Sequence, residues 1–219
     1  MAKTVEQNVT CPNCGATGTF TTWLAFEDDS KEPRDLLNAG ELASYTCPQC
    51  GAHVQVAYSC LYHDNAHNAT VFYSPDEAEA NQIAQLFSAA DAGAGAQLPA
   101  EFQSANTRRI VSSHDELAEK IRAFEDGLDD QVLEILKVMA LLRVRDEFQV
   151  TGDEPAVYDG LAENGDVLVK LQPKDDDAWY QVPVPRALYD EAASSLAKQD
   201  AAEAGFKIDR AWAARQLNG

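Results

Sequence analysis

Three short stretches in the first third of the chain have the apolar–polar alternation or the content of aromatic and β-branched residues that is typical of β-strands. The stretches are residues 17–26, 54–58 and 69–73. A polar run at residues 64–68 separates the last two and is rich in Asp and Asn, which favour tight connections. The pattern therefore predicts a small antiparallel sheet in this part of the chain.

A helix and a linker are predicted next. Residues 74–77 read Ser-Pro-Asp-Glu, a capping box with proline at the first helical position, and predict a helix that continues to about residue 90. A run of alanine and glycine follows, and such small residues form flexible connections. We therefore expect a linker over residues 91–106, which would separate a domain at residues 1–90 from a domain at residues 107–219.

A pair of helices is predicted after the linker. A second capping box at residues 113–116 precedes apolar residues with helical spacing, and Gly127 ends that helix. The next helix begins near Asp130 and is apolar on nearly all sides. Because such a helix must be covered, we expect a helical hairpin whose second helix is central or lies at an oligomer interface.

The last third of the chain returns to strand spacing. Residues 157–161 and 167–171 flank an Asn-Gly dipeptide, which is the strongest short signal for a β-hairpin. Residues 179–184 predict a third strand, and two helices are expected to close the chain. The fold class is therefore predicted to be α+β, with a C-terminal region of hairpin and helices.

Two cysteine knuckles add chemistry to the N-terminal sheet: Cys11-Pro12-Asn13-Cys14-Gly15 and Cys47-Pro48-Gln49-Cys50-Gly51. Two Cys-x-x-Cys pairs supply the four thiolates of a tetrahedral zinc site. We therefore expect one structural zinc ion per chain, bound by Cys11, Cys14, Cys47 and Cys50 in a zinc ribbon with an insertion between the knuckles. Four sulfur ligands leave no position for a catalytic water, so the sequence predicts no catalytic residue at this metal.

Charge and composition restrict the partners. The net charge is −19 and is spread along the chain, with −9 over residues 1–100, −4 over residues 101–150 and −6 over residues 151–219. Without a basic stretch, nucleic acid and anionic membranes are disfavoured. The start of the chain resembles no signal peptide, and metal-spaced cysteines favour a reducing compartment, so we expect a cytoplasmic protein.

Two further groups of residues are candidates for chemistry. Residues 63–67 read His-Asp-Asn-Ala-His, which is similar to a zinc-protease signature, although that signature requires a helix and this segment is predicted to connect two strands. One hypothesis is a hydrolase-like enzyme whose active site would consist of His63, Asp64 and the carboxylates of residues 125–130. The alternatives are that His63 stabilises its turn and that the acidic residues cap a helix. Cys60, alone in a strand, is expected to be a small buried residue.

The chain resembles the CpXC family, whose name describes the doubled Cys-Pro-x-Cys motif. The resemblance also includes Leu61-Tyr62-His63-Asp64 and the helical segments at residues 109–111, 117–121 and 124–130, and it covers roughly residues 8–145. It implies zinc binding by the four knuckle cysteines and no particular activity.

We expect a non-enzymatic zinc-binding protein that contacts another protein or a second copy of itself. A nucleic-acid-binding zinc ribbon is the further alternative, and it rests on analogy of fold alone.

Overall fold

The computed structural model describes residues 2–91, 105–174, 177–198 and 205–218. It confirms the α+β class, with a sheet near the N-terminus and further strands and helices near the C-terminus. The chain divides into two compact units, Met1–Ala118 and Glu119–Gly219. The helix His114–Glu125, labelled α3, runs across the point of division.

The first unit contains seven strands and two complete helices in its described part. They are β1 (Lys3–Thr10), β2 (Thr17–Glu27), α1 (Lys31–Asn38), β3 (Ser44–Thr46), β4 (His53–Gln55), β5 (Cys60–Asp64), β6 (Ala69–Tyr73), α2 (Glu77–Asp91) and β7 (Thr107–Val111), followed by the start of α3 (His114–Glu125).

Five of these strands form one mixed sheet with the order β1-β2-β5-β6-β7. This sheet differs from the small antiparallel sheet expected from the sequence, because β2 pairs with β5 and β6 pairs with β7 in parallel. Parallel neighbours require a long crossover connection. Residues 28–59, which contain α1 and the second knuckle, connect β2 to β5, and the segment that contains α2 connects β6 to β7. Alternation within a single strand carries no information on the direction of its neighbours.

Strand β1 at the edge of the sheet was not expected from the sequence. Its eight residues pair with β2 in antiparallel register, from Lys3 opposite Ala25 to Thr10 opposite Thr17. Most of its side chains are exposed, and Val5 keeps 45% of its surface. An edge strand without a buried face lacks the apolar alternation on which the prediction depends.

The predicted linker and domain boundary fall mainly on undescribed residues. Helix α2 ends at Asp91, and residues 92–104 lie outside the described part of the chain. Strand β7 starts at residue 107, where the second domain was expected to begin, and it pairs with β6 in the first sheet. The flexibility of residues 91–106 stays a prediction.

The second unit combines a three-stranded sheet with helices. Its described elements are the rest of α3, α4 (Asp130–Arg143), α5 (Arg145–Phe148), β8 (Ala156–Leu161), β9 (Val167–Leu171), β10 (Tyr180–Val184), α6 (Arg186–Leu196) and α7 (Arg210–Asn218). The sheet is antiparallel with the order β10-β9-β8. The predicted hairpin is confirmed, and Gly165 adopts a φ of 84° in its turn, a value that favours glycine.

Helix α4 lies at the centre of the second unit, as its apolar sequence required. Leu133, Leu136 and Leu141 are each no more than 2% exposed and belong to one core cluster with residues of all three strands, such as Tyr158 and Val169. The helix is thus covered mainly by elements of its own unit.

Candidate metal centre

The first knuckle is a tight turn that begins at Cys11. The amide of Cys11 donates to the carbonyl of Ala16 over 2.8 Å, and the amide of Gly15 donates to the carbonyl of Cys11 over 2.9 Å. Gly15 has a φ of 74°, in the left-handed region that a side chain would penalise. The turn therefore requires glycine directly after the second cysteine.

The second knuckle repeats this turn between β3 and β4. The amide of Cys47 donates to the carbonyl of Ala52 over 2.9 Å, and the amide of Gly51 donates to the carbonyl of Cys47 over 2.9 Å. Gly51 has a φ of 71°. The two knuckles therefore present their paired cysteines from nearly identical backbone turns.

The four cysteine sulfurs converge. The Sγ atoms of Cys11 and Cys50 are 3.7 Å apart, those of Cys14 and Cys47 are 3.6 Å apart, and all four lie within 4.8 Å of one another. Four Zn–S bonds of about 2.3 Å in a tetrahedron give sulfur–sulfur edges of about 3.8 Å. The sulfurs are therefore positioned to bind one metal ion, and they form no disulfide.

The centre has a buried side and a solvent side. Cys11 and Cys47 are each 1% exposed, whereas Cys14 and Cys50 are exposed. On the solvent side, Nδ2 of Asn13 donates a hydrogen bond to Sγ of Cys50 over 3.5 Å. Sequence reasoning had given Asn13 no role, because the contact crosses from one knuckle to the other, between residues 37 positions apart.

Without a metal, the pKa values of the two exposed thiols, Cys14 and Cys50, shift in opposite directions. The hydrogen bond from Asn13, followed by that from the amide of Ala52, lowers the pKa of Cys50 to about 6. At Cys14 the amide of Ala16 favours the thiolate, but the hydrogen bond to Cys50 and burial outweigh it and raise the pKa to about 12. A metal ion that binds all four thiolates has to displace the remaining protons.

On the buried side of the centre, the ring of Tyr45 packs closely against Gly18. Tyr45 in β3 is 6% exposed and clusters with Cys11, Cys47 and Phe20. Its hydroxyl lies so close to Gly18 that a Cβ atom at that position would be 1.9 Å from the oxygen. Glycine at residue 18 is therefore required for packing, a requirement that no local sequence pattern signalled.

The His63–Asp64 segment, the second candidate site, lies in a hairpin rather than a helix. Nδ1 of His63 is 2.9 Å from the hydroxyl of Thr70, and His63 is 8% exposed. Asp64 is 1% exposed; it accepts the amide of His67 over 2.8 Å and lies 2.9 Å from Nδ1 of that ring. The turn is therefore stabilised through Asp64, and the two imidazoles do not share a helical face.

Three of the carboxylates of residues 125–130 contribute to the structure of the second unit. Asp126 accepts the hydroxyl of Tyr158 over 2.6 Å, and Asp129 caps the N-terminus of α4. Asp130 is 2% exposed and lies 2.9 Å from Nζ of Lys120. The expectation that acidic residues cap this helix holds for Asp129, whereas Asp130 forms a buried ion pair.

Cys60 is separate from the four knuckle cysteines. It is 1% exposed, and desolvation by burial raises the pKa of its thiol to about 12. A thiol in these surroundings stays protonated and packs as a small apolar side chain. In the described part of the chain, the knuckle cysteines are the one group of three or more potential metal ligands that converge.

The fold and the site together define an α+β protein with a four-cysteine metal-binding module. The family described as CpXC protein matches residues 9–137, which is more than half of the 219 residues. The chain therefore belongs to the CpXC family. The match includes both knuckles, the whole first sheet from β2 onward and the first half of α4.

Searches of curated proteins and of solved structures gave no significant match to the chain. Among the helices of the described residues, none has both the length and the apolar character needed to cross a lipid bilayer.

Proposed function

We propose that the four knuckle cysteines bind one Zn²⁺ per chain and that this ion has a structural role. The observation that carries the proposal is the convergence of the four sulfurs within 4.8 Å. An all-cysteine set of four is the usual ligand set of structural zinc, whereas catalytic zinc keeps one position for water or substrate. A metal ion bound by both knuckles would also link Cys14 and Cys47, which are 33 positions apart in the sequence. Such a link would stabilise the two-stranded hairpin β3–β4.

Metal analysis of the purified chain tests this proposal. We expect one zinc per chain, and after exchange with Co²⁺ we expect the visible absorption of a tetrahedral thiolate complex. Cys14→Ser should lower metal content and abolish that absorption, while Cys60→Ala, which removes a thiol outside the centre, should leave both unchanged. Iron with labile sulfide, or protein without metal when purified under reducing conditions, would contradict the zinc assignment.

We further propose that the protein acts through protein–protein contacts, with a second copy of the chain as the partner. The support is an apolar groove of about 240 Å³ within the second unit. Its lining includes Ile135, Met139 and Leu217, of which Leu217 is 46% exposed. Leu142 of the same unit is 56% exposed. An exposed leucine and an apolar groove in the same unit supply the two halves that a self-complementary contact needs.

Light scattering coupled to size exclusion tests self-association. Because each chain carries −19, copies repel one another at low ionic strength, so we expect the dimer fraction to increase with salt. Leu217→Asp should abolish the dimer, whereas Val5→Asp, an equally exposed apolar residue of the first unit, should not. A monomer at micromolar concentration in both low and high salt would contradict the proposal.

The contacts of the second candidate site favour this proposal over the hydrolase alternative. His63 and Asp64 are buried and have hydrogen-bond partners within their own hairpin, as a structural role requires. The net charge of −19 weighs against the nucleic-acid alternative, since phosphate repels an acidic surface.

A further inference from the structure

The two knuckles provide a comparison within one molecule. Their closing hydrogen bonds, from the first cysteine to the alanine five residues later, measure 2.8 and 2.9 Å. In each knuckle a backbone amide also bonds to the exposed sulfur, from Ala16 to Cys14 and from Ala52 to Cys50. The backbone therefore gives both exposed sulfurs the same kind of hydrogen bond.

One side-chain difference is present on the solvent side. Asn13 donates to Sγ of Cys50 over 3.5 Å, from the opposite knuckle. The corresponding residue of the second knuckle is Gln49, which is exposed and, within the described residues, forms no hydrogen bond to the sulfur of Cys14. Cys50 thus has a side-chain donor that Cys14 lacks.

A hydrogen bond to a metal-bound thiolate withdraws electron density from sulfur. It therefore reduces the nucleophilicity of that sulfur and strengthens its retention as a ligand, in the manner of outer-shell contacts at other metal sites. Cys11 and Cys47 are shielded by burial, so only Cys14 and Cys50 can meet a reagent from solvent. Of these two, Cys14 keeps the higher electron density.

We infer that Cys14 is the modification site at which soft electrophiles attack the metal centre, and that Asn13 is the positioning residue that protects Cys50. The inference rests on the proposed zinc site. In the reaction with an alkyl halide, a lone pair of the thiolate forms a carbon–sulfur bond and the halide leaves with the electron pair of the carbon–halogen bond. The anionic ligand becomes a neutral thioether, which binds zinc more weakly, so modification at Cys14 releases the metal.

Alkylation of the zinc-loaded full chain by iodoacetamide tests the inference. Tandem mass spectrometry assigns each modified cysteine with time, and a chromophoric chelator records zinc release in the same samples. We expect Cys14 to react about fivefold faster than Cys50, equivalent to about 1 kcal/mol between the two barriers for one hydrogen bond. Zinc release should follow the modification of Cys14.

Substitutions at the two equivalent positions provide the matched comparison. Asn13→Ala should raise the rate at Cys50 about fivefold, to that of Cys14, whereas Gln49→Ala should leave both rates unchanged. Asn13→Asp, which keeps the size and removes the donor, should also raise the rate at Cys50. Zinc content and circular dichroism confirm that each variant is folded before its rates are compared.

The outcomes separate this inference from the zinc proposal. Protein that contains no zinc before alkylation would overturn the zinc proposal. Protein with one zinc per chain in which Cys50 reacts as fast as Cys14, or in which Asn13→Ala and Asn13→Asp leave Cys50 unchanged, would overturn the inference alone.

Discussion

The knuckle region, which consists of the two knuckles with strands β3 and β4, and the second unit differ in what fills their interiors. In the knuckle region Cys11, Tyr45 and Cys47 form a buried cluster with Phe20 of β2, so two of its four described members are cysteines of the proposed metal centre. In the second unit one cluster joins seventeen buried residues from helices and strands, counted over the described residues. A two-stranded sheet with so small a core is marginal in water, whereas the larger core can sustain a fold without a metal.

The second unit also contains charged groups in its interior. Lys120 is 3% exposed and lies 2.9 Å from Asp130 and 3.2 Å from Glu134. Although burial opposes its charge, these carboxylates hold the pKa of Lys120 above its usual value. Its ammonium also donates to the carbonyl of Ile208 over 2.9 Å, next to α7. We therefore compare a region that we propose is held by metal–sulfur bonds with a region held by apolar packing around a buried ion network.

The largest effect is expected from Cys47→Ser, which removes a buried cysteine of the proposed metal centre. The variant should lose zinc and the knuckle region should unfold, because binding of a structural zinc contributes on the order of 10 kcal/mol to the folding of such small sites. Metal analysis and hydrogen exchange measured by mass spectrometry check this prediction. Amides of β3 and β4 should exchange rapidly, while those of α4 and β9 should stay protected.

Cys60→Ala is the control for Cys47→Ser, because Cys60 is equally buried at 1% exposure and lies outside the ligand set. It should retain one zinc per chain and protection in the knuckle region. If Cys47→Ser kept the protection of β3 and β4, the metal would not be what holds this region together.

The second largest effect is expected from Lys120→Met in the other region. The substitution leaves Asp130 and Glu134 buried with less compensating charge, and breaking a buried ion pair costs about 3–5 kcal/mol. Urea denaturation followed by exchange of α4 amides should show this loss, with zinc content unchanged. Lys198→Met, at an exposed lysine, should change stability by less than about 0.5 kcal/mol. Equal stability of the two variants would show that the network is dispensable.

Sequence reasoning succeeded where the signal is local. Two capping boxes and an Asn-Gly turn predicted α2, α3 and the β8–β9 hairpin close to their observed bounds, because caps and turns depend on neighbouring residues. It did not predict the parallel pairing of β2 with β5 or the presence of β1. These features depend on contacts between distant segments, to which alternation within one strand is insensitive.

In the candidate site, too, features set by neighbouring residues could be predicted and features set by distant contacts could not. The spacing of the four cysteines identified the convergent group, because each knuckle encodes its own turn. The roles of Asn13 and Gly18 could not be predicted, since each depends on a residue of a distant segment, Cys50 and Tyr45 respectively. Local turns thus position the sulfurs, and tertiary contacts differentiate them.

A smaller effect is expected from Gly18→Ala, which tests packing in the knuckle region without removing a ligand. The added Cβ would overlap the hydroxyl of Tyr45, whose ring is fixed in the cluster with Cys11 and Cys47. Overpacking of this kind costs about 1–3 kcal/mol. We expect a lower thermal midpoint and faster loss of zinc to a chelator. The double variant with Tyr45→Phe should recover part of the loss; if it recovers nothing, the hydroxyl is not the source of the clash.

The smallest effect concerns pH and the loop before β8. Glu154 is 4% exposed and accepts the amides of Thr151 over 2.6 Å and Gly152 over 2.7 Å. Burial opposes its charge, but these hydrogen bonds outweigh burial and lower the pKa of Glu154 to about 2 from 4.5. Because the pKa of Glu154 is lower in the folded protein than in the unfolded chain, the carboxylate stabilises the fold fully above pH 4.5. This stabilisation is lost as the pH falls from 4.5 towards 2.

Glu154→Gln should therefore destabilise the second unit by about 1 kcal/mol at neutral pH, the scale of one hydrogen bond, and by less as the pH approaches 2. Denaturation between pH 7 and pH 2, followed through exchange of β8 and β9 amides, measures the difference in the second unit, which contains none of the knuckle cysteines that acid would protonate. Glu163→Gln, in the exposed turn between those strands, is the matched control and should show no such pH dependence. If the free energies of unfolding of Glu154→Gln and of the parent protein differed by the same amount at every pH in this range, the carboxylate would contribute through packing rather than through its charge. Any change of stability with pH would then have to arise from other groups of the unit.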